Sequence, residues 1–434
     1  MAIYFGTDGI RGIVNLDLTA DLAIKCGNSL TQEKQAPKVL IGWDTRVSCT
    51  YLANSFACGV MAGGGSVSYV GIIPTAGIAY LTKTLKYDYG VMISASHNPK
   101  EYNGIKIFDA CGFKLGDLRE MQLERHFCRT NIVNSCDVGS ANWQENFKKY
   151  YQKYLFSLCD NFKDLKIVID GSNGASFKIA PNVFRLAGAQ VFAINCHNDG
   201  LKINDNCGSL HIEKLQKSVK KFKADIGFAF DGDADRIIAV DKTGKVIDGD
   251  MILFLLAWYF KLKGEKLDKI VGTSHTNLGI EKSLNEMGIE LLRADIGDKY
   301  VLALMQEKNV QLGGEQSGHI IIGNLATTGD GIIASIMLCN LLVRQKEKFY
   351  NLLNIYLYEQ VNINVKVADK LKVLNSEELN KLVGEIRRNI YPFGRVFVRA
   401  SGTEPVIRIM VEHKEKEIAL EMANKIKIAV ENLI

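Results

Sequence analysis

Three aspartates alternate with small residues in the hexapeptide Asp231–Arg236, DGDADR. In an extended or gently curled loop, that alternation points Asp231, Asp233 and Asp235 to one side. Three carboxylates so close repel one another unless a cation sits among them, and an all-oxygen ligand set favours Mg²⁺ or Ca²⁺. The spacing is not that of an EF-hand, whose sixth and twelfth positions need Gly and Glu and here hold Arg236 and Lys242. An Asp-rich turn is the plain alternative.

Three further polar segments could add chemistry. In Ser94–Pro99, SASHNP, the hydroxyl of Ser96 is followed by His97, Asn98 and a rigidifying proline. This is either a common Ser-Asn-Pro turn or a nucleophile. GxSxG is absent, so it is not a hydrolase elbow, but a serine can carry a phosphoryl group where a metal neutralises the charge beside it. In Arg399–Pro405, RASGTEP, Ser401, Gly402 and Thr403 offer hydroxyls and backbone N–H groups, and Arg399 offers a guanidinium fork. That makes a phosphate cradle without the GxxxxGK[ST] of a P-loop, or else a polar hairpin turn. Gly314–His319, GEQSGH, supplies Glu315, Ser317 and His319, groups suited to reading sugar hydroxyls, or a flexible glycine loop. Arg11 in TDGIRG and Arg46 in GWDTR are either anion ligands or surface charges. Taken together, a metal site, a hydroxyl nucleophile, a sugar-reading loop and a phosphate cradle point to phosphoryl transfer on a phosphorylated sugar.

The elements that must hold these loops recur. Lys38–Gly42, Lys166–Asp170 and Lys269–Thr273 are short apolar runs followed by helical periodicity, the mark of βαβ units and a mostly parallel sheet. After each, a second buried run leads into one of the loops: GVMI into SASHNP, DIGFAF into DGDADR, VQLG into GEQSGH. Ligands of open α/β sheets bind beyond the carboxyl ends of the strands. Beyond residue 358 the pattern changes to VNINVKV, a helix near Ser376–Asn389, RVFVRA, VIRIMVE and a terminal amphipathic helix. The expected architecture is α/β: three similar mixed α/β domains (1–152, 153–246 and 247–358) plus a C-terminal α+β domain (359–434) around a central cleft.

Composition bounds the function. The 434 residues carry 53 basic and 48 acidic side chains, a net charge of +5. No Lys/Arg block argues for nucleic acid. The longest apolar runs, Met251–Phe260 and Ile332–Val343, have 10 and 12 residues. About 20 are needed to span a bilayer, so both read as core helices. Ten cysteines without a CxxC pair, and a start lacking a signal-peptide pattern, lead us to expect reduced thiols in a cytoplasmic protein.

These motifs, from Thr7 to Arg408, resemble the α-D-phosphohexomutase superfamily. YFGTDGIRG, ISASHNP and GEQSGH are the forms of the branch that acts on glucosamine phosphates, whereas relatives acting on mannose and glucose phosphates usually read GEMSGH. The resemblance implies a heart-shaped four-domain isomerase. It would interconvert glucosamine 6-phosphate and glucosamine 1-phosphate through a phosphoserine and a 1,6-bisphosphate, feeding UDP-N-acetylglucosamine synthesis. It further implies Ser96 as the phosphoserine, with its phosphate completing a Mg²⁺ site of Asp231, Asp233 and Asp235. Glu315 and Ser317 would contact sugar hydroxyls, and Arg399, Ser401, Gly402, Thr403 and Arg408 the distal phosphate. Arg11, His97, Lys106 and His319 would line the reacting centre, with Lys106 or His319 as general base. Glucosamine 1,6-bisphosphate or glucose 1,6-bisphosphate would prime the serine. The partner is then a small hexosamine phosphate, with neither nucleic acid nor membrane, and with room for a homodimer. A mannose- or glucose-phosphate mutase, a sugar-phosphate sensor and a metal-dependent phosphatase are the competing readings. Three departures stand out: Ala234 for a frequent Gly, which asks that position to avoid positive φ; Lys299 for a common Arg; and PTAG at Pro74–Gly77 for PTPA.

Overall fold

The structure, a computed structural model, describes residues 4–127, 132–401 and 405–433. Four sheets organise it. The first contains β1 (Phe5–Gly6), β2 (Gly9–Ile13), β3 (Lys38–Trp43), β4 (Ser66–Ile72), β5 (Tyr89–Ile93), β6 (Tyr102–Phe108) and β7 (Ala141–Trp143), in the order β1-β2-β6-β5-β3-β4-β7. The second, β12-β11-β10-β8-β9, is built from β8 (Lys166–Asp170), β9 (Gln190–Ile194), β10 (Ile226–Phe230), β11 (Ile237–Asp241) and β12 (Val246–Ile247). The third, β14-β13-β15-β16, comprises β13 (Lys269–Thr273), β14 (Glu290–Ala294), β15 (Leu312–Gly314) and β16 (Ile320–Ile322). The last is β17 (Glu359–Lys366), β18 (Gly394–Ala400) and β19 (Val406–His413), with β19 in the middle.

The central strands are apolar along their whole length because helices cover both faces, as in other parallel sheets. β5 and β10 are buried at every residue. β3 pairs in parallel with β4 and β5, β8 with β9 and β10, and β13 with β14 and β15. The expectation of mostly parallel sheets needs correction, however. β5 turns back into antiparallel β6, β10 into β11 and β15 into β16. The connections are too short for a crossover helix, so the returning strand has to run antiparallel. Each chemical loop is therefore the bend of a hairpin whose first strand lies in a parallel core.

Two helices, Gly249–Leu262 and Gly331–Arg344, are apolar around most of their circumference and bury nearly all their residues. Among the described residues, no helix is long and apolar enough to cross a membrane. By compactness the chain divides into one unit of 1–276 with 288–353 and a second of 277–287 with 354–434. The second unit has its own core, in which Val365, Ile386, Ile407, Ile409, Val411, Ala423 and Ile426 pack together. The helix Leu278–Glu286 belongs to it: the Leu278 N–H donates to Glu412 Oε1 at 2.8 Å, and Asn277 Nδ2 donates to the Tyr358 carbonyl at 2.9 Å.

Candidate active site

Strand β5 delivers its chain into a tight bend. The Ser94 hydroxyl donates to Asp44 Oδ2 (2.6 Å) and accepts the N–H of Ser96 (2.9 Å). Ser96 then adopts φ +53°, a left-handed conformation rare for a residue with a side chain. Its hydroxyl is fully buried, donates to Asp231 Oδ2 at 2.5 Å and lies 3.5 Å from Asp235 Oδ1. His97 Nδ1 is 3.5 Å from the same oxygen. Burial, with Arg236 and Arg11 nearby, pushes the His97 imidazole down to about 3, so it is neutral.

The bend between β10 and β11 supplies the acids. Asp231, Asp233 and Asp235 are all buried, and each offers a carboxylate oxygen within 4.8 Å of the others. Asp233 Oδ2 accepts the Thr75 hydroxyl (2.5 Å) and Lys106 Nζ (2.7 Å), while its Oδ1 is buried without a hydrogen-bond partner. An orphaned buried carboxylate oxygen is costly. It belongs to one of three carboxylates that each offer a hard oxygen within 4.8 Å of the others, so the residues present fit a divalent cation such as Mg²⁺. Burial and the charges of Asp235 and Asp233 push the Asp231 carboxyl well above the ordinary range. At Asp235, burial acts the same way, but Lys106 and His319 outweigh it and hold the carboxyl well below.

Cations close the site from the other side. Lys106 Nζ meets Asp8 Oδ2 (2.8 Å), Asp233 Oδ2 (2.7 Å) and Asp235 Oδ2 (2.9 Å). Burial disfavours its charge, yet these carboxylates outweigh that and raise it well above an ordinary lysine. Arg11 pairs with Asp8 and donates to Asn98 Oδ1 (2.7 Å) and the Ala95 carbonyl (3.1 Å). His319 Nε2 accepts the N–H of Gly329 at 3.1 Å, which requires that nitrogen to be unprotonated and leaves Nδ1 facing Asp235 Oδ1 at 3.8 Å. Burial opposes the imidazolium, but Asp235 and Asp298 outweigh it and raise the His319 pKa above its ordinary value; protonating Nε2 would cost the Gly329 hydrogen bond. A Cβ on Gly329 would stand 2.5 Å from the ring, so only glycine lets the loop approach so closely.

Comparison with known proteins identifies the lineage. The models of phosphoglucomutase/phosphomannomutase α/β/α domains I, II and III match residues 2–131, 145–244 and 248–358, and the model of the C-terminal domain matches 363–429. The chain belongs to the phosphoglucomutase/phosphomannomutase family. Relatives within it include the phosphoglucosamine mutases of Caldicellulosiruptor bescii, 43% identical with 96% of each chain covered, and of Bacillus subtilis, 40% identical with 98% of each covered. A phosphoglucomutase/phosphomannomutase family protein from Burkholderia thailandensis shares the fold, with a TM-score of 0.84 over 100% of this chain and 97% of that one, at 23% identity. So does the Aspergillus fumigatus N-acetylphosphoglucosamine mutase solved with GlcNAc-6P and magnesium: TM-score 0.70, 16% identity, 100% of this chain and 96% of that one covered.

Within this family member the structure gathers Ser96, His97, Arg11, Lys106, His319 and the three aspartates into one cluster. Glu315 is buried, its Oε1 accepting the Gly297 N–H at 2.9 Å, whereas Ser317 is exposed. Arg399 and Arg408 lie in the second unit, directly opposite each other on β18 and β19, with Ser401 buried just beyond. Like charges facing across strands repel, which suits an anion. Gly402 and Thr403 lie outside the described residues.

One expectation is overturned and one open alternative is closed. Ala234 does not avoid positive φ: it sits at +58°, held by the Ala234 N–H to the Asp231 carbonyl and the Gly331 N–H to the Ala234 carbonyl, both 3.1 Å. Closing the acidic bend requires that turn, and alanine bears the strain. Arg46 is no surface charge; it is 2% exposed. Sequence reasoning also missed Asp8, Thr75, Lys114, Arg236 and Asp298. Lys114 ion-pairs with both Asp8 and Asp298, and Arg236 is held in its charged form by Asp235, Asp231 and Glu315 against burial. Asp8, Arg236 and Thr75 stood inside motifs already singled out, and Asp298 stands beside Lys299, so their positions carried a signal; Lys114 had none. Lys299 pairs with Asp117 at 3.0 Å.

Proposed function

We propose that this protein interconverts glucosamine 6-phosphate and glucosamine 1-phosphate, with Ser96 as a phosphorylated carrier. The observation that carries this reading is the meeting of the Ser96 hydroxyl with the three buried aspartates. A hydroxyl is seldom buried against like-charged acids unless chemistry needs it there. The phosphoryl group of phosphoserine 96 passes to the free 1-hydroxyl of the 6-phosphate: the P–O bond to Ser96 breaks as the bond to the 1-oxygen forms, and the proton lost from the 1-hydroxyl ends on the Ser96 oxygen, giving the 1,6-bisphosphate. The bisphosphate turns over in the site. Its 6-phosphoryl group then returns to Ser96, whose hydroxyl proton passes to the 6-oxygen, and glucosamine 1-phosphate departs.

Asp231, Asp233 and Asp235 would hold Mg²⁺ together with the serine phosphate, and the cation would offset charge on the transferring group. Arg11, Lys106 and Arg236 add fixed positive charge around the same oxygens, His97 and His319 line the reacting centre, and Glu315 and Ser317 read sugar hydroxyls. Arg399, Ser401 and Arg408 take the non-reacting phosphate by paired donors. The C2 amino preference follows the 40–43% identical relatives named above; a trace of glucosamine or glucose 1,6-bisphosphate would prime the serine. The nine described cysteines are all free thiols, which suits a reducing cytoplasm.

Intact-mass measurement before and after incubation with glucosamine 1,6-bisphosphate tests the carrier. The wild type should gain one phosphate and Ser96→Ala none; a gain that persists in the alanine variant overturns the assignment. Turnover of glucosamine, glucose and mannose 1-phosphates by one preparation tests the C2 preference, and mannose 1-phosphate as the best substrate would point to the sister activity.

A further inference from the structure

A residue with a side chain stays in the left-handed region only where its surroundings over-determine it, and Ser96 is at φ +53°. Besides the Ser94 hydroxyl on the Ser96 N–H and Arg11 on the Ala95 carbonyl, two side chains hold the bend through its carbonyls on the far side. Arg46 is anchored by Asp44, which accepts the Arg46 N–H at Oδ1 (2.8 Å) and Nε at Oδ2 (3.0 Å). Its fork then donates to the carbonyls of Ser96 (3.0 Å), Asn98 (2.7 Å), Tyr102 (3.0 Å) and Pro99. Asn204 reaches the same loop from the bend after β9: Nδ2 donates to the carbonyls of Ser96 (2.9 Å) and Asn98 (3.0 Å). Both carbonyls thus receive one hydrogen from each residue. Asn204 is itself left-handed (φ +57°) and tied by its N–H to the Ser172 carbonyl at 3.0 Å. The acidic loop closes on the same point, since a Cβ on Gly232 would lie 2.5 Å from the Ser96 carbonyl oxygen and 3.1 Å from Asn204 Nδ2.

We propose that Arg46 and Asn204 are positioning residues for the phosphoryl carrier. Neither touches the reacting atoms. Each fixes the backbone on the far side of Ser96, so that Oγ stays aimed at Asp231 and Asp235. A misplacement of about 1 Å at a reacting centre lowers turnover by about a hundredfold, and a serine free to swing also exposes its phosphate to water. The inference rests on the carrier role of Ser96 proposed above.

Asn204 gives the cleaner test, because it is only half-buried on a surface bend. Asn204→Asp keeps shape and left-handed tolerance but turns both donors into oxygens facing two carbonyls; Asn204→Gly removes the amide. Both should fold, keep the wild-type KM, lose kcat by about 10- to 100-fold at temperatures well below their melting, and release more inorganic phosphate per isomerisation. Arg46→Lys, which keeps the charge and loses the fork, should show the same split where it folds. Wild-type kcat in both Asn204 variants, or a change confined to KM or to melting temperature, overturns the proposal. Ser96→Ala run alongside separates the two claims. If it remains active, the carrier reading fails; if it is inactive while the Asn204 variants behave as wild type, only the positioning role fails.

Discussion

At Lys106 a single ammonium faces three carboxylates, those of Asp233 and Asp235 buried and that of Asp8 nearly so. Removing one partner of a buried ion cluster leaves charge uncompensated, so Lys106→Met is expected to lower the unfolding free energy by about 3 kcal/mol, measured by urea denaturation in EDTA. Added Mg²⁺ should raise the melting temperature of that variant more than that of the wild type, because the cation then replaces the lost ammonium beside Asp233 and Asp235; an equal response would show that the acids do not bind it. The residues that bear chemistry were legible in the sequence where a type and a spacing announced them, as in DGDADR and SASHNP. Arg46 stood out only as an anion ligand or a surface charge, and Asn204 not at all. Their partners are backbone carbonyls, which any sequence possesses, so no residue pattern could reveal the part they play.

Among elements, the helix Gly331–Arg344 shows how a buried terminus is held. Asp330 Oδ1 accepts the N–H groups of Ile332 and Ile333 (both 3.0 Å), and Oδ2 accepts the Tyr151 hydroxyl (2.6 Å). Burial outweighs these bonds and raises its pKa from 3.8 to about 6. The unfolded chain releases this proton near pH 4 and the folded chain near 6. Asp330 therefore favours folding below pH 4, and that contribution is lost as pH rises through this window, by at most about 3 kcal/mol. Asp330→Asn retains a capping oxygen and cannot ionise. Urea midpoints at pH 4.5 and 7 should show the variant gaining on the wild type as pH rises; parallel shifts would refute the assignment. Strands and core helices were readable from apolar runs of strand and helix length. The antiparallel return strands were not, because strand direction is set by the length of the connection and not by the residues of β6 and β11 themselves.

For the molecule as a whole, two compact units with separate cores imply separate cooperativity. Ile409 lies at the centre of the second core, 1% exposed. Ile409→Ala is expected to cost about 2–5 kcal/mol and to move one calorimetric transition while leaving the other in place; a uniform shift of the whole endotherm would show one cooperative block. The change of pattern beyond residue 358 foreshadowed a distinct unit. That the helix Leu278–Glu286 joins it could not be read from the chain, since its link, Leu278 to Glu412, spans 134 positions.

The hairpin form of the three chemical loops restricts how this chain can evolve. The bends run through residues 94–101, 231–236 and 315–319, each ending in hydrogen-bonded strands on both sides. One inserted residue would shift a strand by half a pleat and turn its apolar face outward. Substrate preference can therefore drift by exchanging side chains within these bends, while their lengths stay locked to the sheets that carry them.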